Sequence, residues 1–176
     1  MILTGSQILK SIENQHLMVV PFSKENVSTN SYDLSLGNKY IKYCNEILDP
    51  YKNNPYEEHE IPDEGLLLKK GDFVLSESKE IIGTDFLVPK VHGKSGIARK
   101  GLFVHITADL VDIGYCGKIT LQLYATQNII LYKDMKIAQL SFWLPKGDIT
   151  LYQGKYQNGS GPQSSKIYCD VKQRKI

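Results

Sequence analysis

Cysteine is scarce in this sequence of 176 residues, where it occurs only as Cys44, Cys116 and Cys169. An odd number of cysteines without a Cys-x-x-Cys pair fits neither a disulfide framework nor a zinc site. We therefore expect reduced thiols and a cytoplasmic protein. No run of about eighteen apolar residues occurs, which argues against a membrane-spanning helix. The amino terminus also lacks the charged-then-apolar layout of a signal peptide, so we expect none.

Several familiar motifs are missing as well. The sequence contains no Rossmann glycine fingerprint, no P-loop and no His-Glu-x-x-His. The zinc deaminase signature, His-x-Glu with Pro-Cys-x-x-Cys, is absent too. The net charge of +2 does not argue for nucleic-acid binding, which usually goes with a strong basic stripe. We therefore expect no nucleic-acid partner, no membrane partner and no dedicated set of metal ligands.

What the chain does contain is a series of short apolar runs bounded by Gly, Asp or Pro. They fall at residues 66–68, 71–76, 79–82, 86–91, 102–108, 117–124, 128–132 and 136–144. Such regular spacing predicts an all-β barrel or sandwich, and the length suits one domain. Before these runs, the sequence predicts a short helix over residues 4–14 and extended segments at 17–22 and 31–37. The polar stretch 45–64 predicts a long surface excursion.

A basic loop between glycines, Gly93-Lys94-Ser95-Gly96, precedes Arg99. Small residues let backbone N–H groups approach an anion, while lysine, arginine and a serine hydroxyl add charge and donors. The loop is therefore a candidate phosphate site. Glycine-rich basic turns are also common on solvated hairpins, so both interpretations stay open on this loop alone.

A second candidate is the acidic turn at Asp112 and Gly114 with the strand that follows it. Period-two alternation places one set of polar side chains on a single face of that strand, namely Lys118, Thr120, Gln122 and Tyr124. This face could line a pocket, or it could be the outer face of an ordinary strand. Likewise, Asp112 could take part in chemistry or could cap the backbone of its own turn.

Taken together, the ordered motifs resemble the dCTP deaminase and dUTPase family, whose trimeric members act on deoxypyrimidine nucleoside triphosphates. Lys94-Ser95-Gly96 matches the phosphate loop, Asp112-Ile113-Gly114-Tyr115-Cys116-Gly117 the Asp-x-Gly-aromatic-x-Gly turn, and Ile137-Ala138-Gln139-Leu140 a later strand. An earlier motif, Ser31 to Gly37, includes Asp33, which the resemblance places near the metal-triphosphate region. The resemblance covers nearly the whole chain. It implies a distorted β-barrel or jelly roll of the dUTPase type with a short N-terminal helix, assembled as a homotrimer.

The resemblance also implies roles for individual residues. It assigns phosphate or base contacts to Lys94, Ser95, Gly96, Ala98 and Arg99. It assigns sugar and base contacts to Ala108, Tyr115 and Thr120. A carboxy-terminal lid over the nucleotide would carry Tyr152, Lys155 and Tyr156. We accordingly predict a nucleotide-binding domain over residues 1–151 and a flexible lid over 152–176. Mg²⁺ is expected to bind through the substrate triphosphate, which requires no metal motif in the protein.

Gln122 departs from the deaminase pattern, in which a glutamate at this strand position relays protons. An amide has no titratable lone pair near neutral pH. The family's second lid glutamine, near Gly159, is also missing. We assign Asp112, Gln122 and Arg99 to the catalytic set, and we hypothesise Mg²⁺-dependent hydrolysis of dUTP to dUMP and pyrophosphate, with Asp112 activating water. The alternatives are a dCTP deaminase, alone or bifunctional, with another base such as Asp109, or a protein that binds dCTP or dUTP without turnover.

Overall fold

The structure is a computed structural model that describes residues 1–171. Its helices are α1 (Gly5–Glu13), α2 (Ser95–Ala98) and α3 (Tyr168–Val171), with a 3-10 turn at Lys24–Asn26. Its strands are β1 (Met18–Val20), β2 (Tyr32–Tyr43), β3 (Tyr56–Glu60), β4 (Leu66–Leu68), β5 (Phe73–Gly83), β6 (Val88–Gly93), β7 (Leu102–Phe103), β8 (Cys116–Ala125), β9 (Ile129–Leu131) and β10 (Lys136–Trp143). None of the helices described over residues 1–171 is long and apolar enough to span a membrane.

Eight of the strands form one antiparallel, nearly closed barrel-like sheet. Its main order is β6-β10-β2-β5-β8-β7, with β1 added to β5 and β3 added to β2, while β4 and β9 form a separate pair. The expected all-β class with a short N-terminal helix is therefore confirmed. The central β5–β8 pair matters most for the site, because it carries Gln122 opposite Leu75.

Alternation along β8 explains how this sheet closes around a core. Ile119, Leu121 and Leu123 are buried, whereas the residues between them are partly exposed. Because neighbouring side chains of a strand point to opposite faces, one face of β8 packs inward and the other stays free. Helix α1 covers part of the core with Ile8, which is completely buried.

Several strand boundaries differ from the sequence prediction. The runs predicted over 71–76 and 79–82 join into one strand, β5, which begins at Phe73 and whose pairing with β8 is irregular between Glu77 and Ile81. Within that irregularity, the backbone N–H of Ile119 donates to the Ser78 hydroxyl at 2.8 Å. A side-chain acceptor thus replaces a missing ladder bond, and the strand continues.

The predicted strand over 102–108 was too long, since β7 ends at Phe103. Beyond it, the backbone N–H of Ile106 donates to the side chain of Gln122 instead of to a neighbouring strand. The ladder stops there, and residues 104–111 form the loop that borders the site. The prediction of an excursion over 45–64 was also incomplete, because β3 extends the sheet beside β2.

Candidate functional site

A cavity of about 550 Å³ opens beside β5 and β8. Its lining comes mainly from the two strands, from the loop and turn at 108–115, and from residues 152–171, which we call the carboxy-terminal segment. Tyr43, Leu48 and Val91 complete the lining. The described lining residues are Tyr43, Leu48, Phe73, Leu75, Val91, Ala108, Leu110, Val111, Asp112, Tyr115, Ile119, Thr120, Gln122, Tyr152, Tyr156, Gln163, Ser164 and Ser165. The walls of the cavity are largely apolar, and Asp112 is the single carboxylate among the described lining residues.

Backbone hydrogen bonds help to hold the turn at Asp112 in shape. The Tyr115 N–H donates to the Asp112 carbonyl at 3.1 Å, and the Gly114 N–H donates to the Thr84 carbonyl at 2.8 Å. Gly114 has a φ of +88°, and a Cβ there would lie 2.8 Å from the Cβ of Leu151. Only glycine fits that position without strain. The Asp112 carboxylate makes no hydrogen bond within the described residues, so it does not cap this turn.

Tyr115 forms the next part of the cavity wall. Its hydroxyl donates to the Lys118 carbonyl at 2.6 Å, and its ring lies 6.2 Å from the ring of Tyr152. Burial disfavours the charged phenolate and raises the pKa of Tyr115 to about 12. Tyr115 is therefore a neutral aromatic wall at any physiological pH.

The polar face of β8 serves several purposes. Thr120 and Gln122 line the cavity. Lys118 instead forms an ion pair with the fully buried Glu77, at 2.8 Å. Tyr124 lies against Phe103, with 6.2 Å between the ring centroids. This face is therefore a cavity wall over part of its length only.

The amide of Gln122 has a defined orientation. Its Oε1 accepts the backbone N–H of Ile106 at 3.0 Å, while its own backbone N–H donates to the Val104 carbonyl at 2.9 Å. The residue thus ties the end of the loop to β8. Its Nε2 group has no hydrogen-bond partner among residues 1–171.

The predicted phosphate residues lie elsewhere. Residues 94–99, which we call the α2 segment, form a short helical turn where the sequence predicted a loop, and they hold Lys94, Ser95, Gly96, Ala98 and Arg99. None of these lines the cavity. Lys94 Nζ lies 2.5 Å from Oδ2 of Asp33, whose Oδ1 is buried without a partner. The predicted site residues therefore fall into two main sets in one chain. One set is the α2 segment. The other set lines the cavity, and we call it the cavity group: Ala108, Asp112, Tyr115, Thr120, Gln122, Tyr152 and Tyr156.

The carboxy-terminal segment packs onto the start of β8. Gly159 pairs with Gly117 as a parallel bridge, and the Lys118 N–H donates to the Gly159 carbonyl at 2.8 Å. Of the predicted lid residues, Tyr152 and Tyr156 line the cavity, while Lys155 forms an ion pair with Asp170. Residues 172–176 of the predicted lid lie outside the described residues, and its flexibility stays a prediction.

Sequence reasoning missed four contributors to this region. Gln157 links the segment to the turn, because its Oε1 accepts the Cys116 N–H at 2.8 Å and its Nε2 donates to the Gly114 carbonyl at 2.7 Å. Gln163 and Ser165 line the cavity, and the Ser165 N–H donates to the Tyr43 hydroxyl at 2.9 Å. The glutamine-rich polar tail was the sequence feature that could have indicated the first three residues, whereas no feature around Tyr43 indicated a place in the site.

No group of three or more His, Cys, Asp or Glu residues that could hold a metal ion occurs in the part of the chain that is described. A metal that binds with several waters and through a ligand's phosphate oxygens needs no such cluster. Asp112 in the cavity and Asp33 beside the α2 segment are the carboxylates placed to assist one.

Comparison with known proteins gives a consistent result. The family described as dCTP deaminase-like matches residues 2–144. A Clostridium beijerinckii protein named "dCTP deaminase, dUMP-forming" is 40% identical over 171 residues, which cover 97% of this chain and 98% of the relative. A Leptospira biflexa protein of the same name is 38% identical over 175 residues, with coverage of 99% and 100%.

One solved structure shares the fold. The 2'-deoxycytidine 5'-triphosphate deaminase of Agrobacterium tumefaciens superposes with a TM-score of 0.65 at 18% identity. The match covers 82% of this chain and 48% of that one, so the chain spans about half the length of that structure. The sequence match over residues 2–144 and the full-length relatives at about 40% identity agree with this likeness of fold. The chain belongs to the dCTP deaminase-like family.

Proposed function

We propose that this protein forms dUMP by hydrolysing dUTP, with pyrophosphate as the second product. The observation that carries the proposal is the chemistry of the cavity. Asp112 is its single carboxylate among the described lining residues, and Gln122, which lines the same cavity from β8, is an amide. A carboxylate can accept a proton near neutral pH, whereas an amide cannot. Relatives at about 40% identity are named for the formation of the same product.

Asp112 acts on water in this proposal. Its carboxylate makes no hydrogen bond within the described residues, so both oxygens are free to orient and deprotonate a water molecule. The resulting hydroxide attacks phosphorus, the bond to the departing pyrophosphate breaks, and the proton remains on Asp112 until it returns to solvent. The apolar walls and the neutral ring of Tyr115 suit a deoxyribose and a pyrimidine, and they keep other water away.

Mg²⁺ fits this set of residues as an ion held mainly by the triphosphate oxygens and by water. When bound, it would neutralise phosphate charge and favour departure of pyrophosphate. Asp112 and Asp33 are the carboxylates that would support it in this proposal; Oδ2 of Asp33 is paired with Lys94, and its buried Oδ1 lacks a partner. This chain's own contribution is to hold the nucleotide and to take up the proton of the attacking water.

The cavity group also requires a source of positive charge. Its described lining residues include no lysine or arginine, although a nucleoside triphosphate carries several negative charges. The α2 segment offers Lys94 and Arg99 but does not line this cavity in its own chain. We infer that a neighbouring copy supplies the α2 segment and that the protein works as a homotrimer, since closed cyclic assemblies repeat such a contact at every interface.

The second candidate function is deamination of dCTP with dUMP as the final product. The names of the relatives favour it, because the C. beijerinckii protein that carries this name matches 97% of the chain. It requires a base other than Gln122. Asp109 is a weak choice, since its ion pair with Lys90 at 3.0 Å lowers the pKa of this carboxyl and occupies it.

A product assay separates these functions. The purified protein is incubated with Mg²⁺ and either dUTP or dCTP, and dUMP, dUTP, dCMP and ammonia are resolved. Hydrolysis of dUTP to dUMP with dCTP untouched is the expected result. Release of ammonia from dCTP at a comparable rate would establish the deaminase instead. Tight binding of both nucleotides with no product over hours would show a binding protein without turnover.

A further inference from the structure

The orientation of Gln122 in the cavity gives it a defined hydrogen-bonding character. Its Oε1 accepts the Ile106 N–H at 3.0 Å. Rotating the amide by half a turn would set two N–H donors against each other and leave the backbone donor unpaired. The oxygen therefore stays on the loop, and the Nε2 group is the end of Gln122 that remains available.

Two other polar residues of the cavity wall, Thr120 and Gln163, already take part in hydrogen bonds. Thr120 Oγ1 accepts the Gln163 N–H at 3.2 Å. The Gln163 amide donates to the Tyr156 carbonyl and accepts from Lys166, both at 3.0 Å. Within residues 1–171, the Gln122 Nε2 group has no such partner. Gln122 thus offers an uncommitted N–H donor at the cavity wall.

Uracil and cytosine differ at N3, which carries a proton only in uracil, and in the group at ring position 4. Uracil carries a carbonyl oxygen there, which accepts a hydrogen bond, and cytosine carries an amino group, which donates one. Position 4 lies across the ring from N1, which bears the sugar, so this atom reaches furthest into a pocket. Gln122 is paired across the sheet with the buried Leu75, and both residues line the cavity.

We propose that Gln122 selects the nucleobase, with its Nε2 group donating to the 4-carbonyl of uracil and opposing the 4-amino group of cytosine. This inference rests on the proposed function, because it takes the cavity as the site of the base. A glutamate at position 122 would keep one oxygen on Ile106 and present its other oxygen as an acceptor. The same position would then favour cytosine, because its second atom would accept a hydrogen bond instead of donating one.

The test measures binding without turnover. Affinities for the α,β-imido analogues of dUTP and dCTP are determined by calorimetry with Mg²⁺, and the recovered nucleotide is checked for an unchanged base. We expect wild type to bind the dUTP analogue roughly ten- to a hundred-fold more tightly, the range for an unsatisfied buried polar group. Gln122→Glu should weaken both analogues through its charge and should invert their ratio.

Two further variants serve as controls. Gln127→Glu makes the same chemical change on an exposed glutamine outside the cavity, and it should leave the ratio as in wild type. Gln122→Met keeps the length of the side chain without any donor, and it should bring the ratio close to one. A ratio that stays at the wild-type value in both Gln122 variants would overturn the inference, as would a wild type without preference.

Failure of this inference can be told apart from failure of the proposed function. An inverted ratio in Gln122→Glu, together with no formation of dUMP from dUTP by wild type, supports base selection and rejects hydrolysis. Formation of dUMP with a ratio that is insensitive to Gln122 supports hydrolysis and rejects base selection. Absence of binding to either analogue overturns both.

Discussion

The cavity group and the α2 segment are two halves of one predicted site, and they differ in charge and in surroundings. The cavity has apolar walls, one carboxylate, and no lysine or arginine among its described lining residues. The α2 segment carries Lys94 and Arg99 within six residues, yet it lies outside the cavity. A nucleoside triphosphate has the same two-part character, with a flat ring at one end and a polyanion at the other. This difference supports our proposal that one chain provides the base and sugar half, while the phosphate half comes from a second copy.

The largest effect is expected from removing the charge of the cavity group. Asp112→Asn keeps the shape of the side chain but cannot take up a proton, so turnover of dUTP should fall roughly 10²–10⁴-fold. Binding of the imido analogue should change far less. Steady-state kinetics and calorimetry measure the two quantities. Asp85→Asn, at an exposed carboxylate outside the cavity, is the matched control, and full hydrolysis by Asp112→Asn would reject the proposed mechanism.

The next effect concerns the α2 segment. Arg99→Ala should raise the KM for dUTP about ten- to a hundred-fold, since a lost hydrogen bond to a charged group has this size. Mixing the Arg99→Ala protein with the Asp112→Asn protein tests whether the two halves of the site come from different chains. If each site joins the cavity of one chain to the α2 segment of another, random assembly restores about one quarter of wild-type activity. No recovery after exchange of subunits would show that both halves belong to the same chain.

A smaller effect is expected at the carboxy-terminal segment. Gln157→Ala removes two hydrogen bonds to the turn, at Cys116 and Gly114, and should raise the KM for dUTP about three- to ten-fold by loosening the segment. Protease sensitivity after residue 152 should increase in parallel. Gln153→Ala makes the same substitution at an exposed neighbour. Equal kinetics of the two variants would mean that the segment contributes nothing to binding.

The smallest effect concerns pH and stability. Burial raises the pKa of Tyr115 to about 12, above its unfolded value of about 10. A raised pKa means that the contribution of Tyr115 to stability is complete below pH 10 and is lost as pH rises toward 12. The melting temperature of wild type should exceed that of Tyr115→Phe by roughly 3 °C at pH 8, for one hydrogen bond in a domain of this size. That difference should shrink above pH 10, and a constant difference would contradict the assignment.

Much of the fold could be predicted from local patterns. Alternation along residues 117–124 predicted β8, and apolar spacing around Ile8 predicted α1, because both periods reflect which face is buried. The length of β7 and the continuity of β5 could not be predicted in this way. Each depends on a side chain, Gln122 or Ser78, that takes over a backbone hydrogen bond from a distant part of the chain.

The candidate site was predictable to a similar extent. The residues of the turn and of β8 were singled out through motif order, and the structure places Ala108, Asp112, Tyr115, Thr120 and Gln122 around one cavity. The position of the α2 segment outside that cavity was not visible in the spacing, since Lys94 precedes Ala108 by only fourteen residues. Their separation depends on how β6 and β10 carry the segment away from β8.

The sequence by itself determined the family, the β-rich class and the presence of an amide at position 122, because each depends on residue type and order. Only the tertiary structure decided which end of that amide faces the cavity. The choice follows from the Ile106 N–H, which reaches Gln122 across sixteen residues of chain. A hydrogen bond between such distant groups leaves no periodic pattern in the sequence. It nevertheless fixes the orientation of the Nε2 donor that we propose contacts the base.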